Sequence, residues 1–175
     1  MLEATEIELT DKGLHGYAFN AFFEKVPIML PYFRGVYSLD DIPRNIKVRE
    51  FVVVNLSKKH EPGTHWFCIV RSHFKLYEIF NSLGFPNLTI VTPYIRAGSG
   101  ADLVFNHRPY QLATTATCGY FVVYFLIHRV LNYDLSFHHL LTDIFDDESN
   151  SINENKVTDF CERLSKATND DELFE

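Results

Sequence analysis

Residues 119–133 read GYFVVYFLIHRVLNY, and the fold turns on that stretch. It is apolar almost all the way round for about four turns, which in a soluble protein describes a helix buried on most of its sides. This is the central helix, and Cys118 and Gly119 open it. Downstream, SFHHLLTDIF at 136–145 carries Ser136 as a cap, and INENKVTDFCERL at 152–164 follows the acidic turn DDESN. Both are amphipathic and predict outer helices. Upstream, FVVVN at 51–55, HWFCIVR at 65–71 and KLYEIF at 75–80 are rich in branched and aromatic residues. With the turn material SKKHEPGT between the first two, they read as adjacent strands. NLTIVTPYIRA at 87–97 reads as a short helix interrupted near Pro93, and DLVFNH at 102–107 as a further strand. GLHGYAFNAFFEKVP at 13–27 has aromatics at helical spacing, and PYFRGVYSLDDIP at 31–43, punctuated by proline and glycine, reads as an aromatic loop or turn. Together these two segments are expected to form one wall.

A chain of 175 residues with this apolar content can bury one sizeable core. One domain spanning 1–175 is therefore expected, with flexible acidic ends at 1–12 and 167–175. No apolar run reaches the ~18 residues of a membrane span, and the start MLEATEIELTDK is acidic where a secretory signal is basic and then apolar. A soluble, intracellular protein is expected. Cys68, Cys118 and Cys161 are odd in number, far apart and without CxxC spacing, which fits a reducing compartment and argues against a zinc or redox pair. The net charge is −7, with acid at Glu3, Glu6, Glu8 and Asp11 and again at Asp146, Asp147, Glu148, Asp170, Asp171 and Glu172. That balance repels phosphate and disfavours nucleic acid as a ligand. His138 and His139 are adjacent on their predicted helix, so they point about 100° apart and make no metal pair.

The chemistry lies in the middle of the chain. Cys118 stands in the first helical turn, where unpaired N–H groups and the helix dipole favour a thiolate. Gly119 removes a side chain where a substrate carbonyl would approach the backbone. His65 opens a strand after the Gly63-Thr64 turn and can deprotonate the thiol. Asn81 closes the next strand, close enough for its carbonyl to orient the imidazole. Gln111 precedes Cys118 by seven residues across the small-residue loop LATTAT, so its amide can serve a developing oxyanion. Taken singly, each has an ordinary reading: a small buried hydrophobe, a rim histidine, a turn asparagine, a solvated glutamine. Their order and context together point to acyl transfer. Cys68, within a strand, and Cys161, within an amphipathic helix, read as packing residues.

GTHWFCIV, YEIFNSLGFP and QLATTATCGYFVVYFL resemble the His, acid and Gln-to-Cys-Gly motifs of adenovirus protease (adenain) and the wider clan of SUMO-specific proteases, and PYFRGVY is similar to a further adenain segment. The resemblance covers roughly residues 31 to 131. It implies His65 as base, Asn81 as orienting residue, Gln111 with the Cys118 backbone as oxyanion hole, and Cys118 as nucleophile, with Gly63, Trp66 and Gly119 against the substrate. It also implies an α+β, papain-like fold, in which a central helix carrying the cysteine packs on a mostly antiparallel sheet carrying the histidine. The chain departs from the family at Asn81, where most members place Asp or Glu. A neutral amide stabilises an imidazolium less than a carboxylate does, although papain-like enzymes work with Cys-His-Asn.

The expected function is thus a cysteine endopeptidase, of viral or virus-like-element origin, that processes structural or capsid precursors near small residues such as Gly. Its expected partner is that polypeptide. An activating peptide is a further expected class of partner, but no cofactor is carried over: no cysteine here matches the adenain tether, and the charge disfavours DNA. A host cytoplasmic, nuclear or virion location goes with this reading. Two alternatives remain open at the level of sequence: an isopeptidase that removes a ubiquitin-like modifier, and a catalytically weak relative that binds peptides.

Overall fold

A computed structural model describes residues 16–95 and 100–170, the side chains of 168–170 excepted. The described chain is mixed α and β. Helix α1 (Gly16–Lys25) leads into strand β1 (Phe33–Ser38) and a short 3₁₀ turn at Leu39–Asp41. Strands β2 (Phe51–Asn55), β3 (Trp66–His73), β4 (Leu76–Phe80) and β5 (Asp102–Phe105) follow, then helices α2 (Cys118–Leu131), α3 (Phe137–Ile144) and α4 (Asn150–Asp170).

The five strands form one sheet in sequence order, β1-β2-β3-β4-β5. Its centre, β2-β3-β4, is antiparallel, while both edge pairings, β1 with β2 and β4 with β5, are parallel. The sheet is therefore mixed, where a mostly antiparallel one was expected. Parallel neighbours need long crossovers, and here these are the turns before Phe51 and the 81–101 excursion, neither of which carries strand signals.

Alternation along the central strands separates two apolar faces. Phe51, Val53, Cys68, Val70 and Phe80 face the helices, whereas Val52, Val54, Phe67, Ile69 and Ile79 face a second cluster with Phe85, Val91 and Ile95. Helix α2 lies in the first cluster with Phe121, Val122, Phe125 and Leu126 fully buried, flanked by α3 and α4, while α1 packs on β1 and adds its phenylalanines to the same cluster. Each such side chain contributes about 1.5–3 kcal/mol of burial, so α2 is held by its whole circumference. Arg129 is buried as completely, its Nε 3.0 Å from Oε2 of the equally buried Glu78 on β4.

Three segments differ from their sequence reading. PYFRGVYSLDDIP contains a strand and a 3₁₀ turn: Gly35, at φ 131°, sits where the β1–β2 register shifts, and that bulge mimics a turn in the sequence. Residues 87–95 form hydrogen-bonded turns, Thr92 and Ile95 N–H donating to Leu88 and Val91 carbonyls, with no helix because Pro93 cannot extend one. Helix α4 runs to Asp170, into the stretch read as an acidic end; residues 1–12 and 171–175, like Glu3, Glu6, Glu8, Asp11, Asp171 and Glu172, lie outside the described residues. The Ser136 cap is present, its Oγ accepting from His139 N–H at 3.2 Å. Among the described residues, no helix is long and apolar enough to cross a membrane.

Candidate active site

One cleft of about 700 Å³ opens where the β3 entrance meets the α2 N-terminus, and His65, Trp66, Gly63, Gln111 and Cys118 all line it. The topology explains the meeting. His65 immediately precedes β3, Asn81 immediately follows the antiparallel β4, and Cys118 is the first residue of the helix packed on those strands. One aromatic stack fixes their spacing: Phe80 lies on Phe125 with ring centroids 4.4 Å apart, Tyr110 on Phe145 at 4.5 Å, and Phe80 on Phe145 at 5.6 Å. Asn81 follows the first of these rings in sequence and Gln111 the second, and Phe125 belongs to the helix that Cys118 opens.

Asn81 Oδ1 lies 2.5 Å from His65 Nε2. The amide has only one orientation, because Oδ1 also accepts from Leu83 N–H at 3.0 Å while Nδ2 donates to the Gly84 carbonyl at 3.2 Å. An acceptor facing Nε2 means that Nε2 carries the ring proton and Nδ1 keeps its lone pair. Asn81 itself is anchored by Asn106, whose Oδ1 accepts from Asn81 N–H and whose Nδ2 donates to the Asn81 carbonyl at 2.6 Å. The turn after Asn81 requires Gly84: its φ is 74°, and a Cβ there would sit 2.4 Å from the His107 carbonyl oxygen.

Cys118 is nearly buried. Burial pushes its thiol above the ordinary value, while N–H groups of Trp66, Gly119 and Cys118 itself pull it back towards the thiolate. The imidazole moves the opposite way: burial lowers the His65 pKa, and the Asn81 bond partly offsets that. Both directions favour the neutral thiol and imidazole at rest, so the helix terminus moderates the thiol without making it acidic as the sequence reading expected. Cys68 and Cys161 are buried away from the cleft; burial pushes Cys68 well up and Cys161 up to about 12.

Gln111 is buried and held at both ends of its amide. Oε1 accepts from Ser82 Oγ–H at 2.6 Å, and Nε2 donates to the Thr115 carbonyl at 2.9 Å and hydroxyl at 3.2 Å. Gly63 and Trp66 sit on the cleft wall, whereas Gly119 is buried in the first helical turn and does not line the cleft. Trp66 rests edge-on against Phe19, with Gly16 leaving room beneath the indole.

Sequence reading missed the polar residues that fix this geometry. Asn55, at the end of β2, accepts from Ser57 and Thr64 N–H groups at 2.9 and 3.3 Å and so ties down the strap that delivers His65. Gly63 packs closely on the same amide, since a Cβ there would lie 3.0 Å from Asn55 Nδ2. Asn106, Ser82 and Glu154 act likewise on Asn81, Gln111 and the loop before Cys118. A Glu within the Asn150, Glu154, Val157, Cys161 stripe of one α4 face was the available signal for the last. Among the described residues no group of three or more His, Cys, Asp or Glu side chains is placed to hold a metal ion, and His138 and His139 are exposed on α3. No protein-family model matches the chain, and no curated protein matches it in sequence.

Proposed function

We propose that this chain is a cysteine peptidase in which Cys118 attacks a polypeptide carbonyl and His65 carries the proton. The observation that carries the reading is the His65–Asn81 pair. Asn81, with its amide orientation fixed independently, leaves Nδ1 as the basic nitrogen of an imidazole that lines the same cleft as the thiol. In the reaction, Nδ1 takes the proton from Cys118 Sγ as sulfur bonds to the carbonyl carbon. The tetrahedral oxyanion is met by backbone N–H groups at the α2 terminus and by Gln111 Nε2, which turns one N–H from the Thr115 hydroxyl to the oxyanion. The imidazolium then gives its proton to the departing amine, leaving a thioester that water hydrolyses by the reverse proton path.

The papain-like arrangement and the adenain-type assignment belong to this proposal. They are supported by the order His65, Asn81, Gln111, Cys118 around one cleft and by the motifs that carry the resemblance. An endopeptidase acting on structural precursors near Gly is the leading form, and modifier removal is the alternative within the same chemistry. A second reading, a peptide-binding relative without turnover, has one observation in its favour: the thiol is raised by burial rather than lowered.

The test incubates wild type and Cys118→Ala with a Gly-Gly peptide panel and with ubiquitin and SUMO bearing C-terminal electrophiles. Cys118-dependent cleavage of peptides supports the endopeptidase, and covalent capture of a modifier at Cys118 makes the protein an isopeptidase. Silence with both probes, with an unreactive Cys118 thiol, leaves a peptide-binding relative or an enzyme that awaits an activating peptide.

A further inference from the structure

The loop 112–117, which joins Gln111 to Cys118, is LATTAT, and after the half-buried Leu112 it holds only Ala and Thr. Besides the turn bond from Thr115 N–H to the Leu112 carbonyl at 3.3 Å and the bond from Gln111 Nε2 to the Thr115 carbonyl at 2.9 Å, it is held by one carboxylate on another helix. Glu154 of α4 is buried at the loop, where its Oε1 accepts from Leu112 N–H at 2.9 Å and from Thr115 Oγ–H at 2.6 Å. Oε2 accepts from Thr117 Oγ–H at 2.8 Å. One side chain therefore grips the loop at its start, middle and end. Asn150, one turn earlier on the same helical face, adds a bond from Nδ2 to the Gln111 carbonyl at 3.3 Å.

The proton order gives this grip a direction. Thr115 has one hydroxyl proton, for which Glu154 Oε1 at 2.6 Å is a nearer acceptor than the Leu112 carbonyl at 2.9 Å; given to Glu154, it leaves the Thr115 oxygen free to accept from Gln111 Nε2. The bond to Glu154 thus makes Thr115 a better acceptor and sets where the Gln111 amide stands. Thr117, the residue before Cys118, spends its hydroxyl on Glu154 and makes no side-chain cap to α2. The first N–H groups of the helix are then left to face the Cys118 sulfur.

We infer that Glu154 is a positioning residue for acyl transfer: through Thr115 and Thr117 it holds Gln111 and the α2 terminus where a tetrahedral oxyanion would form. This rests on the peptidase reading above. It assigns to α4 a part in turnover, although Glu154 touches neither substrate nor nucleophile.

The experiment compares wild type, Glu154→Ala and Glu154→Gln using two probes of Cys118. Iodoacetamide reacts by displacement and forms no oxyanion, whereas a peptide aldehyde ending in Gly-glycinal forms a hemithioacetal that does. Glu154→Ala should alkylate within about threefold of wild type, yet lose tenfold or more in aldehyde affinity and in kcat, with KM for a cleaved peptide nearly unchanged. Glu154→Gln retains an oxygen for Leu112 and Thr115 and an amide for Thr117, so it should recover most of the loss. Equal aldehyde capture by wild type and Glu154→Ala overturns the inference alone. Loss of alkylation and aldehyde capture in the same proportion overturns it too, since that describes a general collapse of the loop. A wild type that never captures the aldehyde at Cys118 refutes the peptidase reading, and this inference with it.

Discussion

Replacing Asn81 by Asp should move reactivity and stability in opposite directions. Asn81 makes two kinds of bond: Oδ1 accepts from His65 Nε2–H, and Nδ2 donates to the Gly84 carbonyl. An aspartate keeps the first and charges it. Hydrogen bonds to charged groups contribute roughly 1.5–3 kcal/mol against about 0.5–1.5 for neutral ones. The imidazolium form of His65 should thus gain on the order of 1.4 kcal/mol, which is about tenfold in its population. A protonated His65 in turn favours the Cys118 thiolate, so iodoacetamide should label Cys118 about tenfold faster at neutral pH. The second bond is lost outright. The Gly84 carbonyl would face a carboxylate oxygen instead of an N–H, at a cost of about 1–3 kcal/mol. In a chain of this size that corresponds to a fall of roughly 4–8 °C in Tm for a central value near 2 kcal/mol. The assays are alkylation followed by mass spectrometry and thermal unfolding of the same preparations. Slower alkylation, or an unchanged Tm, would refute the assignment of Oδ1 to His65 and Nδ2 to Gly84.

In the wild type, burial pushes Cys118 up and His65 down, so alkylation should still climb above the ordinary thiol value of 9.0. A plateau between about pH 5 and 8, as an ion pair formed from a low-pKa thiol would give, contradicts that. Gln111→Ala should cut kcat by about a hundredfold, the usual scale for one oxyanion donor, and should also lower Tm, because Ser82 Oγ loses its acceptor; full activity removes Gln111 from the oxyanion site. Gly84→Ala forces a Cβ to 2.4 Å from the His107 oxygen at a φ of 74°, and should cost about 2 kcal/mol or more in denaturant unfolding; a neutral result means the turn after Asn81 is not as described. Arg129→Met strands Glu78 in the core and should cost about 3–5 kcal/mol, whereas Arg129→Met with Glu78→Leu should recover most of it; equal destabilisation by both would show that the pair matters for shape rather than charge.

The chain's own periodicity determined a good deal of this protein. Fifteen consecutive positions without a polar face made α2 central, alternation and branched residues marked β2, β3 and β4, and the spacing of His65, Asn81, Gln111 and Cys118 on those elements nominated the site. These are local properties, set by 3.6- and 2-residue repeats and by neighbouring residues. Tertiary structure alone decided the rest. The parallel pairing of both edge strands depends on where crossovers return, and β1 hid behind the Gly35 bulge. The thiol's direction of shift also escaped the sequence: a helix terminus is legible there, but the desolvation that outweighs it comes from residues packed around it. Glu154, Asn106, Asn55 and Ser82 look like ordinary polar residues until folding brings each beside a site residue, or the loop next to one, 9 to 42 positions away. A hydrogen bond needs its partner within about 3 Å, and the sequence holds no record of that distance.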